Sequence, residues 1–198
     1  MKKLFRFICK IFCSGNVGPD PGKPKRLLTY KKIVTMLHGY DRTRFELLVN
    51  ELGFEDTRVN TFDFYELKNY LNFMEKEAKE KNIKLKGISF IKGVYNDENA
   101  PNRELKDYEN LIYIPTTLIN GKEVQVDVLN SSKDKLVTFK EMLEKYNYEW
   151  RYDNKENFKL KSGKKEEKTV FKSMVMRDGL SDEESSAGNY GHLSPPLN

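Results

Sequence analysis

The residues that could do chemistry are few and scattered. His38-Gly39-Tyr40-Asp41 puts an imidazole and a carboxylate within one turn of each other. A general base wants a histidine oriented by a carboxylate. A nucleophile would have to complete the set, and the chain offers neither a nucleophile elbow nor a cysteine beyond residue 13. A helix stop at Gly39 followed by a helix cap at Asp41 accounts for the same four residues. Asp63, Glu66 and Lys68 are the residue types of a metal-dependent nuclease, whose carboxylates must converge from adjoining strands on a divalent ion. Strung along one helix, the three do not share a face. Asp127 is a lone carboxylate on the wet side of a predicted strand. Gly87 and Gly93 bracket a strand and do not open a helix, so no phosphate-cradling loop is present. The only cysteines are Cys9 and Cys13 and the only histidines His38 and His192, too few in the body for a Cys/His zinc site. The expectation is therefore no catalytic residue, no metal ligand and no cofactor.

The elements that would position these residues follow from periodicity. Thr29 caps a short helix to His38, with Leu27, Tyr30, Ile33, Val34 and Leu37 as its apolar stripe. Asp41 caps a second, in which Phe45, Leu48, Val49 and Leu52 repeat at i, i+3, i+4, i+7, and Gly53 ends it. A third covers 62–81, capped by Thr61 or Asp63, with Phe64, Leu67, Leu71, Met74 and Ala78 on one face. Then the period changes. The run GISFIKGVY at 87–95 is β-branched and aromatic and reads as a strand. Strands at 111–119 and 123–129 flank Asn120-Gly121, the strongest short hairpin signal. Pro115 in the first of these predicts an edge or a bulge. A helix over 135–146 follows, and the alternation of Tyr148, Trp150 and Tyr152 suggests a short last strand. The fold class is α+β: N-terminal helices, a small antiparallel sheet with a central hairpin, then a further helix. The domain reading is a basic arm and Gly/Pro tether at 1–26, one α+β domain at 27–160, and a disordered tail at 161–198.

Charge is distributed unevenly along this frame. The net charge is +5, yet residues 1–32 hold nine Lys/Arg against Asp20 alone, so the rest of the chain sums to −3. The body is mildly acidic, which argues against nucleic-acid binding through it. Three helices and a hairpin invite comparison with a winged helix, but the third helix carries a net −1 where a recognition helix needs cations. The opening MKKLFRFICKIFC is too short to span a bilayer, and Arg6 and Lys10 interrupt it as a secretion signal. As a helix it sets Leu4, Phe5, Ile8, Ile11 and Phe12 against Lys3, Arg6 and Lys10. That is the pattern of an interfacial anchor, apolar groups entering the acyl boundary and cations meeting anionic headgroups. The alternatives are a helix packed on the body or a partner, and an arm with no function, including one upstream of a true start at Met36. Cys9 and Cys13, one turn apart, could carry acyl chains. The tail closes on GNYGHLSPPLN, which reads first as a solvating tail; alternatively Tyr190, Leu193, Pro195 and Pro196 could form a short extended ligand for a partner groove.

From Tyr70 onward the chain resembles a group of small Bacteroidota proteins that have no established activity. The features that carry the resemblance are KEAKEKNIKLKGISFIKGVYND at 76–97, IPTT at 114–117 and GHLSPP at 191–196. They span about half of the chain, and they bring no residue roles. The basic arm and the charged run at 161–172 depart from the pattern. The resemblance implies a bacterial, cytoplasmic setting.

The functional expectation is a non-enzymatic adaptor. It would bind an unidentified protein partner, with Tyr148, Trp150 and Tyr152 read either as contact residues or, equally, as core, and the arm would hold it peripherally at the anionic inner face of the membrane. The alternatives are an unfamiliar metal-dependent hydrolase, which needs a pocket gathering two carboxylates with His38, and a nucleic-acid binder using the arm and the Lys-rich tail.

Overall fold

The computed structural model describes residues 22, 24, 26–153, 183–189 and 191–194. The chain divides into two compact units at Phe54/Glu55. That boundary falls within the span 27–160, and each unit is described by itself.

The first unit is helical. Helix α1 (Tyr30–Tyr40) is capped by the Thr29 side chain on the Lys32 amide. It does not stop at Gly39, and Asp41 does not cap a new helix. The chain runs through a π-helical turn, Asp41–Phe45, into α2 (Glu46–Leu52). The physical reason lies in the carbonyls that such a turn loosens. The Thr43 hydroxyl donates to the Gly39 carbonyl (2.7 Å) and Arg42 Nε to the His38 carbonyl (3.3 Å). The stop comes at Gly53, with φ of +80° in the left-handed region that glycine adopts without strain. No residue of α1 or α2 is buried.

The second unit is α+β. It contains β1 (Val59–Phe62), α3 (Phe64–Glu80), β2 (Leu85–Val94), a 3₁₀ turn (Arg103–Leu105), β3 (Glu109–Ile119), β4 (Lys122–Gln125), α4 (Phe139–Lys145) and β5 (Gly191–Ser194). Asp63 is the cap of α3, its carboxylate accepting from the Tyr65 and Glu66 amides. Thr138 and Glu141 close a capping box on α4, which the sequence reading started several residues too early. The Thr138 backbone amide, chiefly, holds the Glu141 carboxyl below its ordinary range.

Strands β2, β3 and β4 form an antiparallel sheet in that order, and β1 pairs with β5 in a second, two-stranded one. The β3–β4 turn is the predicted Asn120-Gly121 hairpin, both residues at positive φ. Met74 and Ala78 of α3 pack on Val126 and Val128, with Tyr70, Ile83, Leu85, Leu129 and Leu136 around them.

Pro115 sits in the central strand, fully buried, where an edge or bulge was expected. Its carbonyl accepts from the Val126 amide (2.9 Å), but it has no N–H to return the bond. The β3–β4 ladder therefore ends at Gln125, shorter than the predicted strand to 129. Val126 bridges to Thr138 and residues 128–130 turn away. No strand forms over 148–152. Asn147 takes a positive φ of 60°, and Trp150 turns inward against Phe139.

Candidate functional site

The departure of β4 leaves the β3 edge open at Tyr113, and the tail fills it. Gly188 exchanges two backbone hydrogen bonds with Tyr113 (2.8 and 2.9 Å). Gly188 faces the Tyr113 ring so closely that an added Cβ would lie 2.5–2.7 Å from its atoms. Beyond it, β5 pairs along β1, from Val59↔Ser194 to Phe62↔Gly191. On the other side of Gly188, Ser186 is fully buried. Its hydroxyl donates to Asp127 Oδ1 (2.8 Å) and accepts from the Leu129 amide (2.8 Å). Its amide also reaches Asp127 (3.3 Å), and its carbonyl accepts from the Tyr70 hydroxyl (2.7 Å). This part of the tail is thus held by docking, against the reading of 161–198 as disordered. The composition is polar, but one serine and one glycine fit a slot whose polar atoms they satisfy.

Asp127 is the carboxylate that this docking encloses. It has no exposed area, although alternation had put it on the wet face. The strand has ended before it, so alternation no longer sets its direction. The Asn130 amide and Nδ2 donate to its two oxygens (3.2 and 3.0 Å), adding to the two Ser186 contacts. Lys81 Nζ holds the same turn to α3 by donating to the Val128 and Leu129 carbonyls (2.8 and 2.9 Å). Burial, and after it the neighbouring Tyr113 and the Asp127 carboxylate, push the Tyr70 phenol above its ordinary range. A fully buried carboxylate that meets four donors and is closed over by its own chain is a structural centre.

Among the described residues, the opposite edge of the sheet is open. In β3, residues 113 and 115 direct their backbone groups away from β2, as their bonds to Gly188 and Val126 require. Their register partners on β2, Phe90 and Ile88, therefore point their N–H and C=O groups outward, as do Lys92 and Val94 at the same period. Among the described residues nothing pairs with this edge. At its start lies a groove of about 640 Å³ between the C-terminal half of α3 and residues 82–88. Leu71, Ala78, Ile83, Leu85 and Ile88 supply its apolar lining, and Lys79, Lys84, Lys86 and Glu75 its charges.

The sequence-predicted residues fall as follows. Lys3, Leu4, Phe5, Arg6, Ile8, Lys10, Ile11 and Phe12 lie outside the described residues, as do Tyr190, Pro195 and Pro196. Leu193 is half-buried in β5, opposite Asn60. Tyr148 and Tyr152 are exposed, but Trp150 is buried, its indole N–H donating to Asp153 Oδ1 (2.9 Å). Trp150 is therefore a packing residue, placed by its rings' contact with Phe139 and Tyr152. His38 is exposed on α1, and Asp63 caps α3. Among the described residues no three His, Cys, Asp or Glu side chains gather as metal ligands, and the groove holds one carboxylate, Glu75. No helix among them is long and apolar enough to cross a membrane. The β2 edge and the Ser186 slot were missed by sequence reasoning. Only the β-rich run at 87–95 and its flanking lysines hinted at the first.

No protein-family model matches this chain, and neither a curated protein nor a solved structure does.

Proposed function

We propose that this chain is a non-enzymatic protein-binding adaptor of a bacterial cytoplasm, held at the anionic inner surface of the membrane by its N-terminal arm. One observation carries the binding half: among the described residues nothing pairs with the outer edge of β2 along Ile88, Phe90, Lys92 and Val94. An open edge is a template for a strand from another chain. Phe90 and Val94 are each more than half exposed there, which offers apolar area beside the backbone groups. The arm supports the membrane half, since its nearest relatives in chemistry are basic amphipathic helices that lie in the interface.

Two measurements test the halves separately. A photo-crosslinking residue at Lys92, exposed on the edge, captures one discrete protein in cells; labelling that matches an equivalent probe at exposed Lys76 on α3 rejects the binding half. In flotation with anionic vesicles the full chain rises with the lipid, and Lys3→Glu/Arg6→Glu/Lys10→Glu does not. Equal behaviour of the two chains removes the anchor.

A further inference from the structure

We infer that the β2 edge and its adjoining groove take an extended peptide bearing acidic side chains, which adds to the sheet as a further strand. This rests on the adaptor reading and names its partner class. Three features of one surface converge on it.

The first is the backbone. Ile88, Phe90, Lys92 and Val94 each present a donor and an acceptor to the outside. Only an extended chain satisfies such a row, because only a strand repeats its groups at the same spacing. A helix or a compact surface would leave most of them unmet.

The second is the floor. The groove beside the first residues of the edge is lined by Leu71, Ala78, Ile83, Leu85 and Ile88. A strand laid along β2 alternates its side chains, so one set enters this apolar trough and the other faces solvent. A bulge between Leu85 and Gly87 lies at the start of the edge, among the residues that line the trough. Bulges commonly end or redirect pairing at a sheet edge.

The third is charge. Lys79, Lys84 and Lys86 border the trough against Glu75 alone, a local balance of +2 on a body that is acidic as a whole. None of the three has an ion-pair partner among the described residues, whereas the neighbouring Lys76 and Lys81 are paired with Glu80 and Glu77. Free cations around an apolar trough complement a peptide with Asp or Glu flanking its apolar positions. Lysines on an edge also keep it from pairing with basic or uncharged strands, so the same residues select the acidic partner and exclude others.

The test uses the full chain and the labelled peptide Asp-Val-Asp-Val-Asp-Val-Asp, followed by fluorescence anisotropy, with amide shifts mapped by NMR. Binding is expected to shift Ile88 and Phe90. Lys84→Glu/Lys86→Glu is expected to weaken it by about tenfold. Both positions are surface side chains whose exchange leaves the packed core intact, and thermal unfolding of the variant verifies that. Methylating alternate peptide amides abolishes binding if main-chain pairing carries it, and the Lys-for-Asp peptide does not bind. No binding, or binding indifferent to N-methylation or to charge, overturns the inference. A displayed library of random extended peptides separates this failure from that of the adaptor reading. Library binders that map to β2 but lack acidic residues overturn the acidic chemistry and leave the adaptor. A library with no binders at all rejects both.

Discussion

At Asp127 four donors meet one carboxylate, and removing it strips the buried Ser186 amide and hydroxyl of their acceptor, while exposed Asn130 keeps its Nδ2 bond to the Glu184 carbonyl (2.8 Å). A buried donor stripped of its acceptor costs about 1–3 kcal/mol. Asp127→Ala is therefore expected to lower the unfolding free energy by about 3 kcal/mol, read from the midpoint of a urea titration at unchanged slope. Tyr70 reports on the same cluster through pH. Its phenol is raised by burial, so the folded state keeps the proton at a pH where the unfolded chain gives it up. The stabilisation is complete below the ordinary tyrosine value of about 10 and declines as pH rises above it. Tyr70→Phe should flatten that alkaline decline in a melting-temperature profile while losing the hydrogen bond to the Ser186 carbonyl; an unchanged profile would assign the decline to other groups. None of this was legible from residue types. Val126, Asp127 and Val128 read as plain alternation, and only the missing N–H of Pro115, eleven positions before Val126 and one turn away, redirects them.

Elements divide into those whose determinants are local and those whose partners are distant. The Asn120-Gly121 hairpin and the amphipathic α3 were readable because their signals lie within their own windows. Strand β1 was not, since four residues beside a helix cap become a strand only when 191–194 arrive. The continuity of α1 into α2 was hidden for a different reason. Gly39 and Asp41 are a fair stop-and-start pair, and the side chains of Arg42 and Thr43 outweigh it by meeting the loosened carbonyls. Gly188 gives the test at this scale. Gly188→Ala forces its Cβ into the Tyr113 ring, and overpacking of this kind costs about 1–3 kcal/mol. Hydrogen exchange at the Tyr113 amide, which donates to the Gly188 carbonyl, should accelerate in the variant. An unaltered rate would mean that the ring swings clear and the docking survives.

For the molecule as a whole, charge segregation was the most readable property, and it sets the salt dependence of the proposed membrane contact. The +8 over residues 1–32 would act on the membrane by charge attraction, which is screened beyond about 8 Å at physiological ionic strength. Vesicle flotation of the full chain should fall as salt is raised, and fall further when anionic lipid is replaced by zwitterionic lipid. Flotation indifferent to both would mean that apolar insertion alone holds the arm. The site was far less legible than this charge pattern. An open edge is a property of what does not pair, and a single sequence carries no mark for a neighbour that is missing.

The pairing of Val59 with Ser194 also fixes an order of events during synthesis. The β3–β4 hairpin can close once its own few residues have emerged, because its contacts are near in sequence. The β1–β5 sheet cannot, since nearly the whole second unit lies between its strands. Contacts of such separation slow folding. Until residue 186 leaves the ribosome the Ser186 slot around Asp127 stands unfilled, and until residue 194 follows β1 lacks its β5 partner. A growing chain in that condition is a natural client for chaperones that cover exposed strand edges.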